Sequence, residues 1–218
     1  MSYKFRDHIK KEPYTTTFVS QNKKFIYMRA GRTASTTISM NLKKFDPITY
    51  EEVSRPYFYK RGTNKWLENT TDKEIFNKYF IFTVVRNPFD RLVSAWRVFA
   101  NKGKVNSNFE QFIKNRGVIK GKGHWLYADG SVSNDHWFPL HRYVEFSKED
   151  KFIDYVGKYE NLNHDWDVIS QKLNISPIIN INTRYPPNKS YRKHYTDELV
   201  EIVSNYYKRD LELFNYEF

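Results

Sequence analysis

Seven consecutive β-forming residues, Tyr79-Phe80-Ile81-Phe82-Thr83-Val84-Val85, constrain this chain more than any other segment. A strand with one wet face alternates apolar and polar side chains, and this run does not. It is expected to be buried on both faces, as in a parallel sheet covered by helices. Arg86-Asn87-Pro88 ends the run, and Pro88 suits a first helical position. Phe89, Leu92, Val93, Trp96 and Phe99 then recur at helical spacing along one face. On that face-sorting, Arg91 and Arg97 are expected to be surface or acceptor-side charges.

A second strand–turn–helix unit precedes it. Lys24-Phe25-Ile26-Tyr27-Met28 reads as a short buried strand, and Ile38, Met40, Leu42 and Phe45 suit a helix ending before Asp46-Pro47. Further along, a short helix is expected over 107–115, a strand over 152–159 and a helix over 162–173. The last helix is expected over 196–214, opened by the acidic pair Asp197-Glu198. Residues 46–71 read as loop with one short strand, Thr71 or Asp72 as the cap of a short helix through Asn77, and 117–150 and 174–190 as irregular. Strands alternating with helices make this an α/β protein. The expected architecture is a P-loop-like three-layer sandwich with a central parallel sheet. With 218 residues and no linker or repeat, one domain is expected, with residues 1–23 as a peripheral N-terminal segment.

Composition narrows the partners. A formal net charge of +11 predicts attraction to anions without choosing among nucleotide, nucleic acid, acidic glycan and anionic membrane. The absence of cysteine removes disulfides, thiolate zinc sites and a cysteine nucleophile. No apolar signal segment or membrane-length apolar window appears, so a soluble, cytoplasmic protein is expected.

The turn between the first strand and its helix, Gly31-Arg32-Thr33-Ala34-Ser35-Thr36-Thr37, is the first candidate site. Backbone N–H groups at a helix start converge on an anion, and the helix dipole favours it. Arg32 can reach the same anion, and the hydroxyls of Thr33, Ser35, Thr36 and Thr37 are further donors. An ordinary capped turn is the plainer alternative. The pattern is not a Walker A loop, which needs G-x-x-x-x-G-K-[ST]. Arg86, where the longer strand ends, and Ser94, two helical turns on, can hold a second phosphate between them. The plainer alternative has Arg86 capping the helix and Ser94 facing solvent.

These segments resemble the nucleotide-binding motifs of the sulfotransferases that use 3′-phosphoadenosine 5′-phosphosulfate (PAPS). The 31–37 turn is similar to their 5′-phosphosulfate loop, P-K-x-x-x-T-[ST]. The run Val85-Arg86-Asn87-Pro88-Phe89-Asp90-Arg91-Leu92-Val93-Ser94-Ala95-Trp96 is similar to their 3′-phosphate segment. Asp135-His136-Trp137-Phe138-Pro139-Leu140, the 154–162 stretch and the C-terminal Tyr-x-x-Asp-x-x-x-Phe-x-Tyr resemble the carbohydrate sulfotransferases of Golgi type. The resemblance runs from about residue 24 to the end. It departs at Arg32, where the family has lysine, at Gly31, where it has proline, and in lacking the paired cysteines of animal relatives. No histidine lies between residues 9 and 123, the interval in which several relatives carry their proposed base.

What the resemblance implies is sulfuryl transfer from PAPS to an acceptor hydroxyl, on a carbohydrate by the His-Trp-x-Pro block, with no metal required. Arg32 and the 31–37 backbone would hold the 5′-phosphosulfate, and Arg86 and Ser94 the 3′-phosphate. Arg192 and Lys193 match, by position, a basic segment that some relatives close over the 3′-phosphate. His136 is the first candidate base, with Glu51 the alternative and Glu52, His124 and His141 behind it. Tyr57 to Arg61 and His124-Trp125 can line an acceptor cleft or simply pack. Three other readings stay open: a degenerate PAPS- or glycan-binding protein, a P-loop-like nucleotide kinase, and a basic nucleic-acid-binding protein.

Overall fold

The computed structural model describes residues 16–20, 22–46, 50–54, 78–101, 108–115, 125–126, 132–133, 136–137, 139–144, 153–176 and 189–218. In chain order the first elements are β1 (Thr16–Ser20), β2 (Phe25–Met28), α1 (Ser35–Phe45), β3 (Tyr50–Ser54) and β4 (Phe80–Val85). There follow α2 (Pro88–Asn101), α3 (Phe109–Asn115), the short hairpin β5 (Trp125–Leu126) and β6 (Val132–Ser133), and α4 (His141–Val144). The chain ends with β7 (Tyr155–Lys158), a 3-10 turn (Tyr159–Asn161), α5 (Leu162–Leu173), a second 3-10 segment (Lys189–His194), α6 (Asp197–Tyr206) and α7 (Lys208–Phe214). They form two compact units, one from residues 15–85 and 140–184, the other built on 86–139 and 185–218.

The first unit carries a five-stranded mixed sheet in the order β3-β1-β2-β4-β7. Only β2, β4 and β7 run parallel; β1 pairs antiparallel with both β2 and β3. The expected central parallel sheet is thus the inner half of a mixed one. Residues 16–20, assigned to a peripheral segment by sequence, instead form a strand inside the sheet. The long apolar run behaves as its lack of alternation predicts, with Ile81 to Val85 all at 1% exposure or less. Register places Phe25 beside Phe80 and Tyr27 beside Phe82, so their rings share one face. There Tyr27 stacks on Phe82 at 5.0 Å and on Phe18 at 6.0 Å. Ile38 and Leu42 of α1 and Leu162, Trp166, Ile169 and Leu173 of α5 cover that face. The strand expected over 152–159 shortens to four residues, and its Gly157 is closely packed: a Cβ there would lie 3.2 Å from that of Asp165, which would have to give slightly.

The second unit is helical and aromatic. Phe89, Leu92 and Val93 of α2 pack with Phe109, Phe112 and Ile113 of α3, with Trp137, and with Tyr191, Leu199, Val203 and Tyr207. Aromatics are 18% of the chain, and here they join ring to ring: Phe89 meets Phe218 at 4.9 Å and Tyr195 at 5.4 Å. The final helix starts where expected, with Thr196 accepting from the Leu199 N–H. It divides at Tyr207, a buried residue whose hydroxyl donates to the Trp137 carbonyl. The segment has neither glycine nor proline, and the sequence does not signal the division. The cap expected near Thr71 or Asp72, the 57–61 stretch and His124 lie outside the described residues.

Candidate active site

The 31–37 turn is shaped by two non-glycine residues in the left-handed region, Arg32 at φ 67° and Ala34 at φ 60°. Each costs about 1–2 kcal/mol and persists only where the surroundings over-determine it. Left-handed residues in a turn are an ingredient of anion-binding concavities, in which successive N–H groups turn to one side. Ala34 is the N-cap of the 11-residue α1, provides no side-chain cap, and is followed by a first turn free of acidic residues.

The hydroxyls of the turn divide into two sets. Thr33 is fully buried and donates to the Ala30 carbonyl at 2.9 Å, so its side chain braces the turn and leaves only its N–H for a ligand. Ser35 is also buried, whereas Thr36 is exposed and Thr37, Gly31 and Arg32 are half-buried. The expectation of four hydroxyl donors therefore shrinks at Thr33.

In the second unit Arg86 follows β4 and is 3% exposed. Its Nε and Nη2 donate to the same Asp90 oxygen at 2.9 and 2.7 Å. Asp90 lies in the first turn of α2, where a carboxylate suits the dipole and fixes the guanidinium plane. The helix is capped by Asn87 rather than Arg86: its Oδ1 accepts from the Phe89 N–H at 3.0 Å, and its Nδ2 donates to the Glu217 carbonyl at 2.7 Å. Ser94 is 2% exposed, which removes the solvent-facing alternative. Arg91, expected as a surface or acceptor-side charge, is 1% exposed, which removes the surface alternative. Residues 88–95 are buried all round, so an amphipathic reading of this helix start misplaces its charges. The charges of Arg91 and Asp210 both act on the Tyr207 phenol, which burial holds well above its ordinary range.

The 3-10 segment packs against α2, bringing Arg192, Lys193 and His194 to the helix that bears Ser94. Arg192 is exposed, donates to the Phe218 backbone oxygen at 2.6 Å and stacks over the Phe218 ring at 5.5 Å. Arg97 and the His194 Nε2 lie 3.1 Å apart, and burial, then Arg97 and Lys193, hold the imidazole below its ordinary value of 6.5. A depressed histidine binds protons more weakly folded than unfolded, so stability present above pH 6.5 is lost as pH falls below it. Thermal melts should therefore show an acid-side decline that His194→Gln flattens; an identical decline in the variant would assign it elsewhere.

His136 is half-buried in a turn whose next residue, Trp137, is held by Tyr207. Trp137 is 1% exposed and belongs to the core. Glu51 and Glu52 lie on β3 opposite Val19 and Phe18, at the sheet's edge. His141 is half-buried on α4. The residues sequence reasoning missed are Asn87, Asp90 and Tyr207; the Arg86-x-x-x-Asp90 spacing was the available signal for one of them. Among the described residues, no three His, Asp or Glu side chains are placed to hold a metal, and no helix is long and apolar enough to cross a membrane.

In this α/β fold, β2 leads into a turn with two left-handed residues and β4 into an arginine held by Asp90. The model of the sulfotransferase family matches residues 15–217, across both units, and the chain belongs to that family. Membership supports sulfuryl transfer in general. An uncharacterized protein of Archaeoglobus fulgidus is 25% identical over 128 residues, 58% of this chain and 94% of that protein. The crystal structure of a sulfotransferase from Alicyclobacillus acidocaldarius is 16% identical with a TM-score of 0.40, the match covering 66% of this chain and 58% of that one.

Proposed function

We propose that this protein moves a sulfuryl group from PAPS to an acceptor hydroxyl on a carbohydrate. The observation that carries the reading is the 31–37 turn, with left-handed Arg32 and Ala34 opening a helix that no side chain caps. Its donors, Arg32 and the N–H groups of 33–37, suit the 5′-phosphosulfate. Arg86, oriented by Asp90, and Ser94 suit the 3′-phosphate that separates PAPS from ATP. Arg192 and Lys193 are proposed as weaker partners of that phosphate.

PAPS supplies an activated sulfur–oxygen bond. That bond breaks to the phosphate side as a new one forms to the acceptor oxygen, and the acceptor proton passes to a base. Arg32 carries a permanent charge, so its part is electrostatic: it steadies the departing phosphate rather than giving it a proton. His136 is the proposed base and Glu51 the alternative. The carbohydrate acceptor rests on the His136-Trp137-Phe138-Pro139 block.

Adenosine 3′,5′-bisphosphate is expected to raise the melting temperature where ATP with Mg²⁺ does not, and labelled sulfate to reach sugar hydroxyls before phenols or peptides. Stabilisation by ATP with Mg²⁺ alone would overturn the PAPS reading. Arginine in place of the family's lysine favours a second reading, a binding protein without turnover; tight bisphosphate binding with no product on any acceptor would establish it.

A further inference from the structure

Helix α7 ends at Asn215, whose φ of 52° is left-handed, and the Tyr216 N–H closes the turn on the Leu211 carbonyl at 3.0 Å. Asparagine is among the few residues that visit this conformation readily, and one so placed turns the chain out of a helix. Glu217 and Phe218 then lie against the start of α2 and the 3-10 segment, where two side chains bond their backbone. Asn87 Nδ2 donates to the Glu217 carbonyl at 2.7 Å, and Arg192 Nη2 donates to the Phe218 oxygen at 2.6 Å. The Arg86-Asn87 corner and Arg192 are thus tied to one two-residue segment.

Phe218 offers more than an oxygen. Its ring makes T-shaped contacts with Phe89 at 4.9 Å, Tyr195 at 5.4 Å and Tyr191 at 5.9 Å. The Arg192 guanidinium lies over the same ring at 5.5 Å and over Tyr191 at 6.0 Å. Core packing accounts for the Phe218 ring, but it does not call for a cation above it. An exposed arginine ordinarily samples many rotamers, and ordering it on a ligand is unfavourable. Here an oxygen and two rings already order it. A guanidinium has five N–H groups; the Phe218 oxygen engages one, and the others meet no partner among the described residues. The charge is fixed in place and still open to an anion.

We propose that Phe218 is a positioning residue for the 3′-phosphate: it fixes Arg192, while the Glu217 carbonyl, through Asn87, fixes the corner that carries Arg86. Both arginines are then set for one anion before it arrives. Preorganised donors bind more tightly because no side chain has to be ordered on binding. This rests on the reading of Arg86, Ser94 and Arg192 as the 3′-phosphate site.

Phe218→Ala is expected to weaken adenosine 3′,5′-bisphosphate binding about threefold to tenfold. Adenosine 5′-monophosphate, which lacks the 3′ group, should stay within about twofold of its wild-type affinity. Phe218→Leu keeps most of the apolar volume and loses the ring face. Its melting temperature should stay close to that of the wild type while bisphosphate affinity falls as in Phe218→Ala. Arg192→Ala should lose at least as much, and Arg192→Ala/Phe218→Ala should bind no more weakly than Arg192→Ala alone, because Phe218 acts through Arg192. Unchanged bisphosphate affinity in Phe218→Ala or Arg192→Ala, equal losses for the two nucleotides, or additive losses in the double variant would overturn the proposal. Full affinity in Phe218→Leu would overturn it too, by showing that the ring only packs. In each of those cases a wild-type preference for the bisphosphate leaves the PAPS reading standing. A wild-type protein without that preference would remove both.

Discussion

Replacing Arg86 with alanine is expected to abolish discrimination between adenosine 3′,5′-bisphosphate and adenosine 5′-monophosphate. Two charge-assisted hydrogen bonds to one phosphate are worth about 1.5–3 kcal/mol each, so bisphosphate affinity should fall by about a hundredfold or more. Monophosphate binding, which lacks the 3′ group, should change little. The single variant has a second effect. Arg86 is buried against Asp90, and removing one partner of a buried pair costs about 3–5 kcal/mol by stranding the other charge. Arg86→Ala/Asp90→Ala removes both charges and should recover most of that stability. Recovered folding with nucleotide discrimination still lost places Arg86 on the 3′-phosphate. Recovered folding with discrimination intact would reduce Arg86 to a brace for the start of α2.

That experiment also marks where sequence reading stops. The β4 run was legible because burial on both faces leaves a long β-forming run without alternation. Helices α1 and α5 were legible from period and boundary signals. Strand β1 was not: Thr16-Thr17-Phe18-Val19-Ser20 is a strand by virtue of its partners, and one of them, β3, carries consecutive glutamates. Pairing of that kind depends on context more than on propensity. Charge placement on α2 failed for a related reason. A period assigns residues to faces, but when every face is covered the period no longer says which charge meets water, and Arg91 is buried with the rest.

The candidate site was legible in its residue types rather than in its mechanics. Arg32, Arg86 and Ser94 follow from spacing within two strand–turn–helix units. What orients them does not. Asp90 locks Arg86 through a bond visible only as an i, i+4 pair, and Thr33, read as a ligand donor, instead braces the turn from inside. A hydroxyl beside a glycine has the same letters whether it faces a ligand or a carbonyl, and burial alone decides.

Arg32 is the residue on which turnover should depend most. Arg32→Ala is expected to lower kcat for sulfuryl transfer by about 10²–10³, the loss seen when one preorganised donor to a developing anion is removed. Its effect on PAPS affinity should be smaller, because charge on the 5′-phosphate side grows as the sulfur–oxygen bond breaks. The backbone complicates a simple reading, since Arg32 sits at φ 67°, where any side chain is strained. Arg32→Gly separates the two contributions: it relieves the backbone while removing the charge, so it should fold at least as well as Arg32→Ala and transfer sulfate no better. Arg32→Lys keeps the charge on a donor that can yield a proton, and should transfer at a rate within about tenfold of the wild type if electrostatics dominate. If Arg32→Gly retains full kcat, the guanidinium has no part in the chemistry. The turn would then bind through its N–H groups alone, and the family's lysine would have no counterpart in this chain.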